Sequence, residues 1–191
     1  VSLTAQRQQT QSRRFTVDEF HRMAEVGIFT EDDRVELVEG EIITMTPVGS
    51  RHAACVKRFL RELPGQLAGR ALLDAQNPIE LSDESELYPD VVLLKPRRDA
   101  YEAANPTSRD VFLVVEVSDT TLAHDQRSKV PIYAREGVAE VWVVDLAGEK
   151  VWVYRRPGRD GYQEMRAFAR GETLGVHELP DITFGVDDIL G

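Results

Sequence analysis

Apolar residues recur along this chain in two rhythms, one helical and one alternating, and the switches between them mark the elements. Thr16-Val17-Asp18-Glu19 is a capping box. It predicts a helix to about Glu25, stopped at Gly27, with Phe20, Met23 and Ala24 on one face. Residues 34–45 predict a β-hairpin: Val35 and Leu37 alternate with Glu36, Glu39-Gly40 turns, and Ile42 to Met45 return. Pro47 and Gly49 end it, and Ser50 caps a second helix over about 51–67. Ala54, Cys55, Phe59, Leu60 and Leu63 fall near helical spacing there, and Pro64-Gly65 weakens the far end. Strands are predicted over 71–81, 88–94 and 111–117, with a polar loop carrying Pro96, Asn105 and Pro106 between the last two. Residues 120–136 read as mostly helical, ending at Gly137. Pro131 inside that stretch moves the expected regular start to Ser128, acting as cap. A hairpin over 140–154, a strand over 161–168, and a tail of short strand plus turn complete the chain. The order predicts an α/β (α+β) core around a mixed sheet. Residues 1–14 read as a flexible polar arm and 15–191 as one domain.

Composition narrows this little. The 191 residues are 42% hydrophobic and 29% charged, enough for one domain with a real core. No apolar run approaches the roughly 20 residues that span a bilayer, so no membrane role is expected. The first 14 residues lack an apolar signal core, so no secretory signal and a cytoplasmic location are expected. The single cysteine, Cys55, excludes an intrachain disulfide and a cysteine metal cluster. Net charge is −10, which argues against a protein that coats nucleic acid by bulk electrostatics, but not against a nuclease with local basic groups. The acidic excess is concentrated in residues 31–41, and basic clusters occur at Lys57-Arg58 with Arg61, Arg97-Arg98, and Arg155-Arg156 with Arg159.

Candidate chemistry lies in two runs too apolar to be exposed, each carrying one carboxylate: Asp90 in Tyr88-Pro89-Asp90-Val91-Val92-Leu93-Leu94, and Glu116 in Phe112-Leu113-Val114-Val115-Glu116-Val117-Ser118. A buried carboxylate must be paired, hydrogen-bonded or bound to a cation. Neighbouring strands lie about 4.8 Å apart, so two such groups can share one ion. Mg²⁺ uses one or two carboxylates plus waters, and the Val117 carbonyl offers a third oxygen. Lys129 follows in the helical segment, with Tyr133 four residues on along the same face. A divalent ion, carboxylates and a protein cation are the parts that phosphodiester hydrolysis needs.

Taken together, Glu36-Leu37-Val38-Glu39-Gly40-Glu41, His52 near a helix start, Tyr88-Pro89-Asp90, Val115-Glu116-Val117-Ser118, Lys129 with Tyr133, and Gly137 to Asp145 resemble the Uma2 family of endonucleases. The resemblance runs from about Thr16 to Leu190. It implies a restriction-endonuclease-like core of the PD-(D/E)xK kind, a mixed β-sheet flanked by helices, with an added N-terminal helix and hairpin. By that pattern Pro89-Asp90 is the PD element and Glu116 the acid. The position of the usual lysine is Ser118, and Lys129 takes the role from the next helix. Glu36 and His52 recur in the family pattern and are expected to line the same cleft. Gln76 on the preceding strand is a further candidate for a polar contact. The resemblance also implies Mg²⁺ or Mn²⁺ as cofactor, DNA as substrate, 5′-phosphate and 3′-hydroxyl products, and a homodimer or higher homo-oligomer.

Plainer readings stand beside these. Asp90 can cap a strand and pair with an arginine, Lys129 can be a solvated helix lysine, and Glu36 can sit on a solvated strand face. His52 can simply pack or cap, Trp142 and Trp152 read as core or interface, and Ser118-Asp119-Thr120-Thr121 as a turn and helix cap. Arg97-Arg98, following the Asp90 strand, is the arginine cluster placed to meet phosphate. The rival to a DNA nuclease is a catalytically silent restriction-like fold serving as a nucleic-acid or protein interaction module. A nuclease acting on RNA or branched DNA is the third reading.

Overall fold

The computed structural model describes residues 12–30, 33–45 and 47–191. Residues 1–11 of the expected N-terminal arm, and Glu31 and Asp32 of the acidic stretch, lie outside the described residues. Arg13 contacts Glu19, and Arg14 donates to the Glu39 carbonyl.

The central sheet has six strands in the order β10-β9-β8-β7-β6-β3. These are β3 Leu72–Asp74, β6 Val91–Leu94, β7 Val111–Ser118, β8 Glu140–Asp145, β9 Lys150–Gly158 and β10 Gly161–Ala169. Only β7 and β8 run parallel, joined by the helical crossover that a parallel pair requires. β6, β7 and β8 read as continuous apolar runs because both faces are covered. On one face Val91, Leu93, Leu113, Val115, Trp142 and Val144 pack with α2 Ser50–Leu67, α5 Val186–Leu190 and the hairpin of β11 Thr173–Val176 and β12 Leu179–Gly185. On the other, Val92, Leu94, Val114, Val141 and Val143 pack with Ile79, Leu87, Ile132 and Tyr133. A smaller antiparallel sheet, β2-β1-β5-β4, stands beside this second face. It comprises β1 Val35–Val38, β2 Glu41–Thr44, β4 Ile79–Ser82 and β5 Ser85–Leu87.

The capping box, the first hairpin, the Glu116 strand and the 140–154 hairpin form as expected; the strand expected over 88–94 forms only from Val91, leaving Asp90 just before it. Helix α1 spans Val17–Glu25, with the Thr16 hydroxyl accepting from the Glu19 N–H at 3.2 Å and the Glu19 carboxylate accepting from the Thr16 N–H at 3.2 Å. Its buried positions are Val17 and Phe20, whereas Ala24 is exposed. At the β1–β2 turn Gly40 has φ +78°, and a Cβ there would lie 2.5 Å from the Arg14 Cβ, so glycine is required twice over.

Four other expectations are corrected. The strand over 71–81 is two strands in different sheets, because Gln76 takes φ +57° and Asn77-Pro78 turns the chain. β5 follows in a tight hairpin from β4, and the tail holds a two-stranded sheet and a helix instead of strand plus turn. Helix α2 starts at Ser50 itself with Gly49 as N-cap, and it runs through Pro64 to Leu67. The crossover helix begins at Leu122, not Ser128. It consists of α3 Leu122–His124, a π-helical turn Asp125–Lys129, and α4 Val130–Arg135. The Val130 N–H closes the wide turn onto the Asp125 carbonyl, and Pro131 then falls in the first turn of α4, where its missing N–H is not needed.

Candidate active site

Strand register brings the two carboxylates together. β6 and β7 are antiparallel with Val91 opposite Val115 and Val92 opposite Val114. Continuing that register by one step sets Asp90 opposite Glu116, at the roughly 5 Å spacing of directly facing strand residues. Period two puts Asp90 on the face of Val92 and Leu94, and Glu116 on the face of Val114, the face against which the crossover helix packs. β6 begins just after Asp90, so the β7 main chain beyond Val115 has no ladder partner on the β6 side while it stays paired with β8. The Val117 N–H donates to Asp90 Oδ2 at 2.8 Å. A strand residue presents its N–H and C=O along the same edge, so the Val117 carbonyl lies on that edge too.

The other expected residues arrive from four elements. His52, on the first turn of α2, has Nε2 2.9 Å from Asp90 Oδ2, and its Nδ1 is buried with no hydrogen-bond partner among the described residues. The Tyr133 hydroxyl of α4 donates to Glu116 Oε1 at 2.6 Å. Lys129, closing the π-turn, has Nζ 3.6 Å from Glu116 Oε1 and 3.1 Å from Glu36 Oε2. Glu36 comes from β1 of the second sheet and is only 3% exposed; Lys129 is 7% exposed. Those burials set aside the solvated readings of both residues. Ser118 faces the same helix and donates to Asp125 Oδ2 at 2.5 Å, where the Thr121 hydroxyl also donates at 2.7 Å. Gln76 is separated from this group, lining a neighbouring cavity with Tyr88.

A cleft of about 250 Å³ has Glu36, His52, Asp90, Glu116, Val117 and Lys129 in its wall. Burial pushes the Glu116 carboxyl up to about 8, with Lys129 opposing the shift and Asp90 reinforcing it. Burial opposes the charge on Lys129 as well, but Glu116 and Glu36 outweigh it and hold the ammonium above its ordinary range. Burial and then Glu116 lift the Tyr133 phenol far above its own. The ammonium therefore keeps its proton, with Glu36 Oε2 the nearer carboxylate oxygen, and burial favours the neutral form of Glu116.

Among the described residues no three His, Cys, Asp or Glu side chains converge as a ready-made metal cage. The donors that do converge are two carboxylates and a main-chain oxygen, the hard set that suits Mg²⁺ or Mn²⁺ with water filling the remaining positions. Burial, reinforced by Asp90, disfavours the ionised form of Glu116 beyond what Lys129 offsets. A divalent cation would relieve that.

Arg97 does not reach the centre. Its guanidinium pairs with Asp99 at 2.6 Å and stacks on Tyr101 at 4.5 Å, beyond the far end of β6 from Asp90. Trp142 is fully buried, edge-on to Phe184, with its N–H donated to the buried Glu140. Two further buried carboxylates were not expected from the sequence: Asp125, and Glu86, which is bound by His21, Asn105 and Tyr88. A single charge inside Ser85-Glu86-Leu87 was the available signal, of the kind that marked Glu116.

The family model of Uma2, described as "Putative restriction endonuclease", matches residues 17–187. A crystal structure from Anabaena variabilis, described as "a putative nuclease belonging to DUF820", matches with a TM-score of 0.72 at 19% identity. It covers 92% of this chain and 97% of that one. At that identity the likeness shows the fold, and it bears out the restriction-endonuclease-like α+β core. No curated protein matches the sequence.

Proposed function

The chain belongs to the Uma2 family, and from that membership and the cleft we propose that it is a metal-dependent DNA endonuclease of the PD-(D/E)xK kind. The observation that carries the reading is a lysine on a separate helix brought 3.6 Å from the Glu116 carboxylate, beside an Asp90 that register sets opposite it. Asp90, Glu116 and the Val117 carbonyl would hold Mg²⁺ or Mn²⁺. When bound, that ion supplies polarisation of the phosphoryl oxygen and a water of lowered pKa.

The chain's own residues do the rest. His52 and the Val117 N–H hold Asp90 Oδ2 from two sides. Tyr133 fixes Glu116 Oε1. Lys129 keeps its proton, so it serves as a fixed cation and not as a base. Its Nζ, anchored by Glu36, orients the attacking water and offsets charge growing on the phosphoryl oxygens. Attack of the water on phosphorus from the side opposite the 3′ oxygen breaks the P–O3′ bond, the 3′ oxygen leaves and takes up a proton, and the ends are 5′-phosphate and 3′-hydroxyl. Cutting both strands of a duplex calls for two such centres, so a homodimer or higher homo-oligomer is the expected form.

The test is cleavage of supercoiled plasmid with Mg²⁺ or Mn²⁺ against EDTA, for the wild type and Asp90→Ala. Full metal-dependent activity in Asp90→Ala sinks the site assignment. The acidic net charge of −10 favours the rival, a non-catalytic interaction module. Calorimetry with millimolar Mg²⁺ separates the two, since the module binds no divalent ion.

A further inference from the structure

A second cavity, about 540 Å³, adjoins the catalytic cleft and shares Arg34, Met45 and Tyr88 with its wall. Nothing in the reaction proposed above uses it. Its size is that of a small-molecule site. One side is aromatic: Phe20 and Phe29 of the α1 region stand 5.8 Å apart with rings tilted at 48°. Polar groups line the cavity too: Gln76, and His21, whose ring centroid is 6.3 Å from that of Phe20.

Both polar groups are held there at some expense. His21 Nε2 lies 2.7 Å from Glu86 Oε2, a carboxylate only 1% exposed whose remaining contacts are Asn105 and the Tyr88 hydroxyl. A buried charge is thus spent on fixing two side chains of this cavity wall. Gln76 adopts φ +57°, a conformation that a long side chain rarely takes, and its N–H donates to the Pro89 carbonyl at 3.0 Å. Strained backbone of this sort gathers at ligand sites. The bond to Pro89 ties Gln76 to the residue before Asp90, so cavity and cleft form one unit. Tyr88 stands two residues from Asp90, about 7 Å along an extended chain, the scale of one nucleotide.

Resting on the nuclease reading, we infer that this cavity is a subsite for one unstacked nucleobase of the strand being cut, flanked by Phe29 and addressed at its edge by Gln76 and His21. A flat heteroaromatic ring with polar edges matches a cavity lined by aromatic rings, an amide and an imidazole. The inference also explains how a chain of net charge −10 engages DNA. Base stacking adds affinity beyond phosphate contacts, and the bases of an intact duplex are not free to supply it. The enzyme accordingly prefers single-stranded or unpaired segments to intact duplex.

The experiment compares wild type with Gln76→Gly and Phe29→Leu, both checked for unchanged melting. Gln76→Gly removes the amide while relieving the positive φ, so it folds at least as well. A single-stranded 15-mer carrying 2-aminopurine at every third position is titrated in EDTA. The ratio of single-strand to duplex cleavage is then measured with Mg²⁺. Wild type is expected to raise 2-aminopurine emission and to favour the single strand. Each variant is expected to lose the emission change and to lower the cleavage ratio about tenfold, with duplex cleavage little altered. Variants that keep both within twofold of wild type overturn the subsite and leave the nuclease reading standing. A wild type that cleaves no nucleic acid with either metal overturns the nuclease reading, and the subsite with it.

Discussion

Replacing Lys129 with methionine separates the charge of the lysine from its bulk. Methionine is of similar length and apolar, so packing around the 7%-exposed side chain is largely kept. What goes is an ammonium 3.1 Å from Glu36 and 3.6 Å from Glu116. At an effective dielectric of about 20 each contact is worth roughly 5 kcal/mol of gross attraction, and removing one partner of a buried set leaves a net loss of about 3–5 kcal/mol. The loss depends on pH through Glu116. Its carboxyl is raised in the folded protein from 4.5 to about 8 by burial, so its contribution to stability is full below pH 4.5 and drains away as pH climbs to 8. At pH 5 it is protonated with or without the lysine, and Lys129→Met forfeits mainly the Glu36 contact. At pH 8.5 the lysine is what makes the ionised form tolerable, so the destabilisation is largest there. Urea unfolding in EDTA at the two pH values reads this directly. With a slope of about 2 kcal/mol/M, the midpoint falls by about 2 M at pH 8.5 and by clearly less at pH 5. A second substitution, Glu36→Gln, should recover part of the loss, with a coupling of about 1–3 kcal/mol. A variant within 0.5 kcal/mol of wild type at pH 8.5, or a loss equal at both pH values, refutes the buried charge triad.

Mg²⁺ must displace the proton on Glu116, so its affinity should rise up to about tenfold per pH unit between pH 6 and 8 and then level off. Calorimetry at pH 6.5 in two buffers of different ionisation enthalpy should show about one proton released, and a pH-independent affinity would contradict the assignment. Tyr133→Phe leaves Glu116 Oε1 without its 2.6 Å donor in a fully buried position, which should cost about 1.5–3 kcal/mol and lower the melting temperature by roughly 3–12 °C in calorimetry. Thr16→Ala removes one half of the capping box and should cost about 1 kcal/mol in urea unfolding, with metal binding unchanged.

What could be read in the sequence was governed by short-range physics. The capping box at Thr16 and Glu19, the Glu39-Gly40 turn and the apolar strands around Asp90 and Glu116 all declare themselves within a few residues. The expected carboxylate pair follows from burial alone, since an isolated charge in Val-Val-Glu-Val must find a partner. What could not be read depended on contacts far apart in the chain. The 71–81 run looks like one strand because nothing local says that its two halves join different sheets. Glu36 looks solvated on a hairpin until the crossover helix is laid across it. Lys129 looks like a surface lysine for the same reason. Pro131 was legible as a disturbance, but its outcome was not: a widened turn absorbs it without interrupting the helix.

On the proposed PD-(D/E)xK reading, that widened turn accounts for how a lysine leaves its usual strand position and still serves the site. Asp125, Lys129 and Tyr133 are spaced four apart, and all three are buried on the side facing the sheet. In an unbroken α-helix, eight residues drift about 80° around the axis, enough to turn one of the three away. The π-turn takes fewer degrees per residue and cancels part of that drift over its own span, so the three side chains stay in line along β7. Each meets that strand or its neighbour: Asp125 meets Ser118, while Lys129 and Tyr133 meet Glu116. Ser118 and Glu116 are two residues apart and project from the same face of β7. A lysine at 118 would stand where the Asp125 anchor is now made. Serine there instead clamps the start of the helix, and the helix delivers the ammonium one turn later. On that proposed reading the position two residues past the acid keeps a role at the centre, fixing the element that carries the cation in place of supplying it.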